Sequence, residues 1–198
     1  MRYYITDRIA AGGEAALLGY IQEALRIGVE RIQIREKDLT GRKLVALTER
    51  VLQLPNPHAA RILINTRADV ALACGAHGVH LPSNGISPAR IKTLAASLEI
   101  AVSCHSVDDV IRAESEAADF VVLGPIFETP SKAPFGPPLG LEILARAAKA
   151  VRIPVLALGG IREDRMAQCV NSGASGIAGI TLFQSVRYTR NQFGVTGA

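Results

Sequence analysis

The chain has 198 residues, enough for one domain with a sizeable core, and its hydrophobic fraction of 48% argues for a globular protein rather than a disordered one. Its 22 basic and 18 acidic side chains leave a formal charge of +4, which suits a phosphorylated ligand but is too small and too scattered for a nucleic-acid surface; few aromatics and no Trp also argue against base stacking. Cys74, Cys104 and Cys169 lie far apart without Cys/His spacing, against a disulfide framework or a zinc site, and no segment resembles a signal peptide or is long enough to cross a bilayer, so a cytoplasmic protein with no membrane partner is expected.

In chain order, short β-rich runs alternate with amphipathic helical patterns. A strand is expected at 3–6, a helix at 14–27, a strand at 31–35, a helix at 41–52 and a strand at 61–65. A short helix at 68–74 follows, then a strand at 78–81, a helix at 88–97, a strand at 100–104, a helix at 107–117 and a strand at 120–123. After an irregular stretch at 128–140 that holds Pro130, Pro134, Pro137 and Pro138, a helix is expected at 141–150, a strand at 154–158, a helix at 163–172 and a strand at 176–180. Eight βα units favour a sheet closed on itself: a compact (β/α)8 TIM barrel forming one domain over 1–198. The proline-rich stretch is long enough to act as a lid, and the polar, Gly-containing tail at 188–198 is expected to fray.

Alternation within the strands says which residues face the barrel interior. In the second strand Ile32 and Ile34 share one face, while Gln33, Arg35 and Lys37 share the other and climb toward the mouth. The same argument turns Asn65 inward at the end of strand three, His80 inward in strand four, and Ser103 and His105 inward near the end of strand five. Polar side chains at the carboxyl ends of neighbouring strands form the pattern of a barrel active site. Most of these residues have a plainer alternative. Arg35 and Lys37 suit a solvated strand end paired with Glu36 or Asp38, and His80 suits a core histidine bonded to backbone. His105, with Ser103 and Ser106, could belong to the N-cap region of the next helix, and Asn65 could cap the helix that follows it.

The run Pro154-Val155-Leu156-Ala157-Leu158-Gly159-Gly160-Ile161 ends a strand on two glycines and opens into a helical pattern, a setting that lets backbone N–H groups approach an anion. Beside it, Gly179, Ile180 and Thr181 end the eighth strand, and loops after strands seven and eight are a frequent phosphate site in such barrels. Alternatively, the glycines serve only the geometry of two tight turns.

Five motifs, Gln33-Ile34-Arg35-Glu36-Lys37, Ile64-Asn65-Thr66-Arg67, Gly78-Val79-His80, the run from Gly124-Pro125-Ile126-Phe127 to Ser131-Lys132, and Gly159-Gly160-Ile161, occur in an order starting from Tyr4-Ile5-Thr6-Asp7. In that order the chain resembles the thiamine phosphate synthase and TenI family over about its whole length. The resemblance implies ligands that are small and phosphorylated: a thiazole phosphate and, in the synthase, a pyrimidine-methyl pyrophosphate whose pyrophosphate leaves with Mg²⁺ help. By resemblance, Gln33, Arg35 and Lys37 would face the pyrimidine and its pyrophosphate, Asn65 and Lys132 would hold the pyrophosphate, and Ser103 would touch the pyrimidine. Thr129 and Ser131, with Gly160, Ile180 and Thr181, would contact the thiazole phosphate. A homodimer is carried as an open expectation.

The family's two Mg²⁺-ligating carboxylate positions hold Thr66 and the neutral Pro82-Ser83-Asn84-Gly85 run, donors that Mg²⁺ does not favour, so no resident metal is expected unless the protein is a synthase. Leu81-Pro82-Ser83, Ser87-Pro88 and Phe127-Glu128-Thr129 instead resemble TenI-type proteins. Some of these are thiazole tautomerases, which aromatise a carboxythiazole phosphate by moving a proton. Their histidine after the strand-six glycine is Pro125 here, so His105 or His80 is the candidate to replace it. The leading expectation is therefore a TenI-like tautomerase that needs no cofactor, with a synthase as alternative and a non-catalytic sensor of a thiamine intermediate as a third reading.

Overall fold

The computed structural model describes residues 1–129 and 137–184. Expectations about Ser131, Lys132, the middle of the proline-rich stretch and the tail at 188–198 lie outside the described residues. Eight parallel strands close into one barrel in sequence order, β1 (Arg2–Ile5), β2 (Arg31–Ile34), β3 (Arg61–Asn65), β4 (Gly78–Pro82), β5 (Glu99–Cys104), β6 (Phe120–Leu123), β7 (Val155–Leu158) and β8 (Gly176–Gly179). The helices α1 (Glu14–Arg26), α2 (Gly41–Leu52), α3 (Ala68–Cys74), α4 (Pro88–Leu94), α5 (Val107–Ser115), α6 (Gly140–Ala150) and α7 (Glu163–Asn171) connect them. Closure is made where β1 meets β8, with Arg2 opposite Ile177 and Tyr4 opposite Gly179. Among the described residues no helix is long and apolar enough to cross a membrane.

The period-two pattern of each strand sorts its side chains into two cores. Ile32, Ile34, Ile62, Ile64, Val79, Leu81, Val102 and Cys104 pack outward against Leu17, Ile21, Leu44, Leu47 and Val110 of the helices. Inside the barrel a smaller cluster gathers Tyr3, Ile5, Leu63, Ala101, Phe120, Val122, Leu156 and Ala178. Tyr3 stands edge-on to Phe120, with ring centroids 5.4 Å apart, and fills the floor. This apolar plug makes the interior a packed core and leaves the carboxyl-end mouth as the place for polar groups.

One helix departs from expectation. The pattern at 88–97 runs ten residues, but α4 stops after Leu94, because Ala95 has φ −150° and ψ 74° and the chain turns there into β5. Leu94 is 83% exposed, whereas Ala95 and Leu98 are buried in the outer core and reach it from the non-helical connection into β5. Helix α5 behaves as its sequence suggests: the Ser106 side chain accepts from the Asp109 backbone N–H at 3.0 Å while an Asp109 carboxylate oxygen accepts from the His105 N–H at 2.9 Å, a reciprocal cap.

At the amino end, away from the mouth, the Glu99 carboxylate gathers two guanidinium groups. Arg31 donates to one oxygen at 3.0 and 2.5 Å and Arg61 to the other at 2.8 Å, so one carboxylate ties β2, β3 and β5 together. Because Arg61 is partly exposed, Glu99→Gln is expected to cost about 1–3 kcal/mol in urea unfolding, with turnover unchanged. A loss below about 0.5 kcal/mol would show that solvent already screens this cluster.

Candidate active site

At the mouth, inward positions on β2 to β5 form two bonded pairs. Gln33 is buried and its Nε2 donates to Asn65 Oδ1 at 2.8 Å, joining β2 to the end of β3. On the next two strands, His80 Nε2 lies 2.7 Å from the Ser103 hydroxyl. The other ring nitrogen of His80, Nδ1, lies 3.0 Å from the Tyr3 hydroxyl, and the two rings stack at 5.7 Å. His80 is thus a core histidine whose partners are side chains, not backbone. Burial, reinforced by the nearby Arg35 charge, pushes its pKa down to about 3 and keeps the imidazole neutral. Asn65 does not cap α3: its amide oxygen is taken by Gln33, and the N-cap residue is Arg67, which makes no side-chain cap bond.

Arg35 is half-buried beyond the end of β2, and Lys37 is exposed two residues on. Their anticipated carboxylate partners are engaged by another segment. Buried Glu36 accepts from the Thr6 hydroxyl at 2.5 Å and from the Arg8 N–H at 2.9 Å, and Asp38 pairs with the Arg8 guanidinium. Thr6 in turn accepts from the Arg35 N–H at 2.9 Å, which pins the start of the loop that carries both cations.

His105 sits at the lip between β5 and β6, exposed, with Nδ1 2.7 Å from the Gly124 carbonyl oxygen. A carbonyl only accepts, so Nδ1 carries the proton and a neutral His105 presents Nε2 as a lone-pair base.

On the opposite side of the mouth, β7 runs into Gly159 and Gly160, which have φ of +95° and +63°. A Cβ on Gly160 would lie 2.6 Å from the Glu128 carbonyl oxygen and 2.8 Å from Phe127 Cβ. These glycines therefore have a packing reason: they let the loop after β6 lie directly on the loop after β7. Arg165 on α7 braces the contact, donating to the Gly160 carbonyl at 3.0 Å while its guanidinium stacks on the Phe127 ring at 4.6 Å. Ile180 is half-buried and Thr181 exposed at the end of the neighbouring β8, and Thr129 is half-buried where the described part of the β6 loop ends. The first turn of α7 carries Glu163 and Asp164, with Arg162 paired to Asp164, so the positive end of that helix is already partly compensated.

Sequence reasoning passed over Tyr3 and Arg165. Alternation in β1 was the available signal for Tyr3, since Tyr3 and Ile5 share the inward face. Arg165, half-buried one turn before the buried Cys169 of α7, had no signal of its own, because its partners are a backbone carbonyl and a ring from another loop.

The positions that the resemblance links to Mg²⁺ carry poor donors. Thr66 has φ +60° and donates its hydroxyl to the Asn65 carbonyl at 2.7 Å, and Gly85 closes a turn with its N–H on the Pro82 carbonyl at 3.0 Å. Among the described residues no group of three or more His, Cys, Asp or Glu side chains could hold a metal ion. These residues do not fit a divalent cation at the places where the resemblance puts it.

A closed eight-stranded parallel barrel with polar side chains near the carboxyl ends of β2 to β5 and a glycine-ended β7 has the layout of a barrel enzyme. The chain belongs to the thiamine monophosphate synthase family, whose model matches residues 2–183. It is 41% identical over 180 residues to the thiamine-phosphate synthase of Roseiflexus sp. (strain RS-1), covering 90% of this chain and 76% of that one. A sequence from Geobacter sulfurreducens is 45% identical over 177 residues, covering 89% of this chain and 83% of its own length. Among solved structures, thiamine phosphate pyrophosphorylase from Pyrococcus furiosus superposes with a TM-score of 0.84 at 31% identity, covering 95% of this chain and 89% of that one. The family makes this protein an enzyme of thiamine biosynthesis.

Proposed function

We propose that the protein joins a pyrimidine-methyl pyrophosphate to a thiazole phosphate, as the synthases of its family do. The observation that carries this reading is the bonded set Gln33–Asn65 and His80–Ser103, which lines the mouth with oriented polar groups suited to the edge of a planar heterocycle. In the reaction the bond between the pyrimidine methylene carbon and the pyrophosphate oxygen breaks, its electron pair leaving with pyrophosphate, and the thiazole nitrogen lone pair forms the new C–N bond. Arg35 and Lys37, with Lys132 by resemblance, supply positive charge for the leaving group. Gly159, Gly160, Thr129, Ser131, Ile180 and Thr181 are the proposed thiazole-phosphate contacts.

The tautomerase reading is favoured by a different observation, His105 with Nδ1 committed to Gly124 and Nε2 left as a base. One assay separates the two. The purified protein is given pyrimidine-methyl pyrophosphate, thiazole phosphate and Mg²⁺, and in a parallel reaction the non-aromatic carboxythiazole phosphate tautomer with chelator. Catalytic formation of thiamine phosphate, lowered at least about tenfold by Gln33→Ala, is the expected result. Aromatisation alone, abolished by His105→Asn, would replace the synthase reading with the tautomerase one. Neither product would leave a binding protein.

A further inference from the structure

We infer that Tyr3 and His80 are positioning residues that make the Ser103 hydroxyl a dedicated hydrogen-bond donor at the barrel mouth, so that the ligand group docked on Ser103 is an acceptor such as an unprotonated ring nitrogen. The inference deepens the proposed function and rests on its reading that Ser103 faces the substrate ring.

Protons along one chain of bonds set its polarity. Tyr3 is fully buried among Ile5, Leu63 and Phe120, and burial raises its pKa well above the ordinary phenol value, so it keeps its proton. That O–H needs an acceptor, and the one within reach among the described hydrogen bonds is His80 Nδ1 at 3.0 Å. A neutral imidazole has one N–H. With Nδ1 accepting, the proton sits on Nε2, which donates to Ser103 Oγ at 2.7 Å. Ser103 Oγ has then used one lone pair as an acceptor, and its own hydrogen has no protein acceptor among the described hydrogen bonds. It is left for a ligand. The reverse polarity, Ser103 donating to Nε2 and Nδ1–H donating to Tyr3, would leave the Tyr3 O–H hydrogen in an apolar core without a partner. A doubly protonated His80 would do the same.

Two readouts test this. On ¹⁵N-labelled free protein, long-range ¹H–¹⁵N correlation of the imidazoles is expected to show His80 as the neutral Nε2–H tautomer at pH 7. An Nδ1–H tautomer or an imidazolium would overturn the inference, whatever the protein's function. The second readout is binding of pyrimidine-methyl pyrophosphate by calorimetry. Tyr3→Phe keeps the ring in the core and removes only the O–H; it is expected to release the tautomer preference and to weaken binding about tenfold. Ser103→Ala is expected to cause a similar loss, to which Tyr3→Phe adds less than about twofold in the double variant. Independent, additive losses would overturn the positioning role. If wild-type protein does not bind the pyrophosphate, the functional reading fails, and the imidazole spectrum still decides the polarity of the chain.

Discussion

Replacing Gly160 with alanine is expected to destabilise the fold by about 2–4 kcal/mol and to weaken thiazole-phosphate binding by more than about tenfold. Two costs combine. With φ of +63° the backbone is in the left-handed region, where a Cβ is itself unfavourable by about 1–2 kcal/mol. The added methyl would also stand 2.6 Å from the Glu128 carbonyl oxygen, a backbone atom that cannot rotate away as a side chain can. The loop after β6 must lift off β7, carrying Phe127 away from Arg165 and Thr129 away from the proposed phosphate site. Urea unfolding reads the first effect and titration with thiazole phosphate the second. Destabilisation without loss of binding would show that the contact between the two loops serves the fold alone.

The second large effect is in pH. His80 stays neutral in the folded protein down to about 3, whereas in the unfolded chain it takes up a proton near 6.5. Between those values the unfolded state binds a proton that the folded state refuses. Stability from this residue is therefore fully present above about 6.5 and falls as the pH is lowered, reaching a loss of about 2 kcal/mol at pH 5. Burial and Arg61 also lower the pKa of His77, which adds a term of the same sign. Carboxylates held low by arginine partners, such as Asp69, contribute at more acidic pH. Urea unfolding at pH 7 and pH 5 checks the prediction, with His80→Gln expected to flatten most of the slope and His77→Gln only part of it. A slope unchanged in His80→Gln would show that another group takes up the proton.

The architecture was legible because parallel strands buried on both faces still alternate between two different kinds of neighbour. Ile32, Ile34, Ile62 and Ile64 marked the helix-facing side of β2 and β3, and that fixed Gln33 and Asn65 as inward residues without any coordinate. What alternation cannot show is which inward group finds which. Gln33 with Asn65 and His80 with Ser103 depend on the register between neighbouring strands, where Asn65 faces His80 and Pro82 faces Ser103. Tyr3 escaped notice because an aromatic at an inward strand position reads as core, and its hydroxyl becomes informative only when its partner is known. The length of α4 was overestimated for a related reason: apolar residues at helical spacing, such as Ala95 and Leu98, also reach the core from the non-helical connection into β5.

The order of the strands has a consequence for how the protein assembles. The first and last strands lie side by side, and the backbone N–H of Ile177 is bonded to the carbonyl of Met1 at 2.9 Å. On the ribosome β8 is the last of the eight strands to become available, so a nascent chain that has reached β7 still exposes two unpaired strand edges, one on β1 and one on β7. The loop that holds Gly160 adjoins the second of these edges. A synthesis that stalls shortly before residue 176 would therefore yield an open sheet prone to pairing with a neighbouring chain, and the ligand site would mature only as the circle closes.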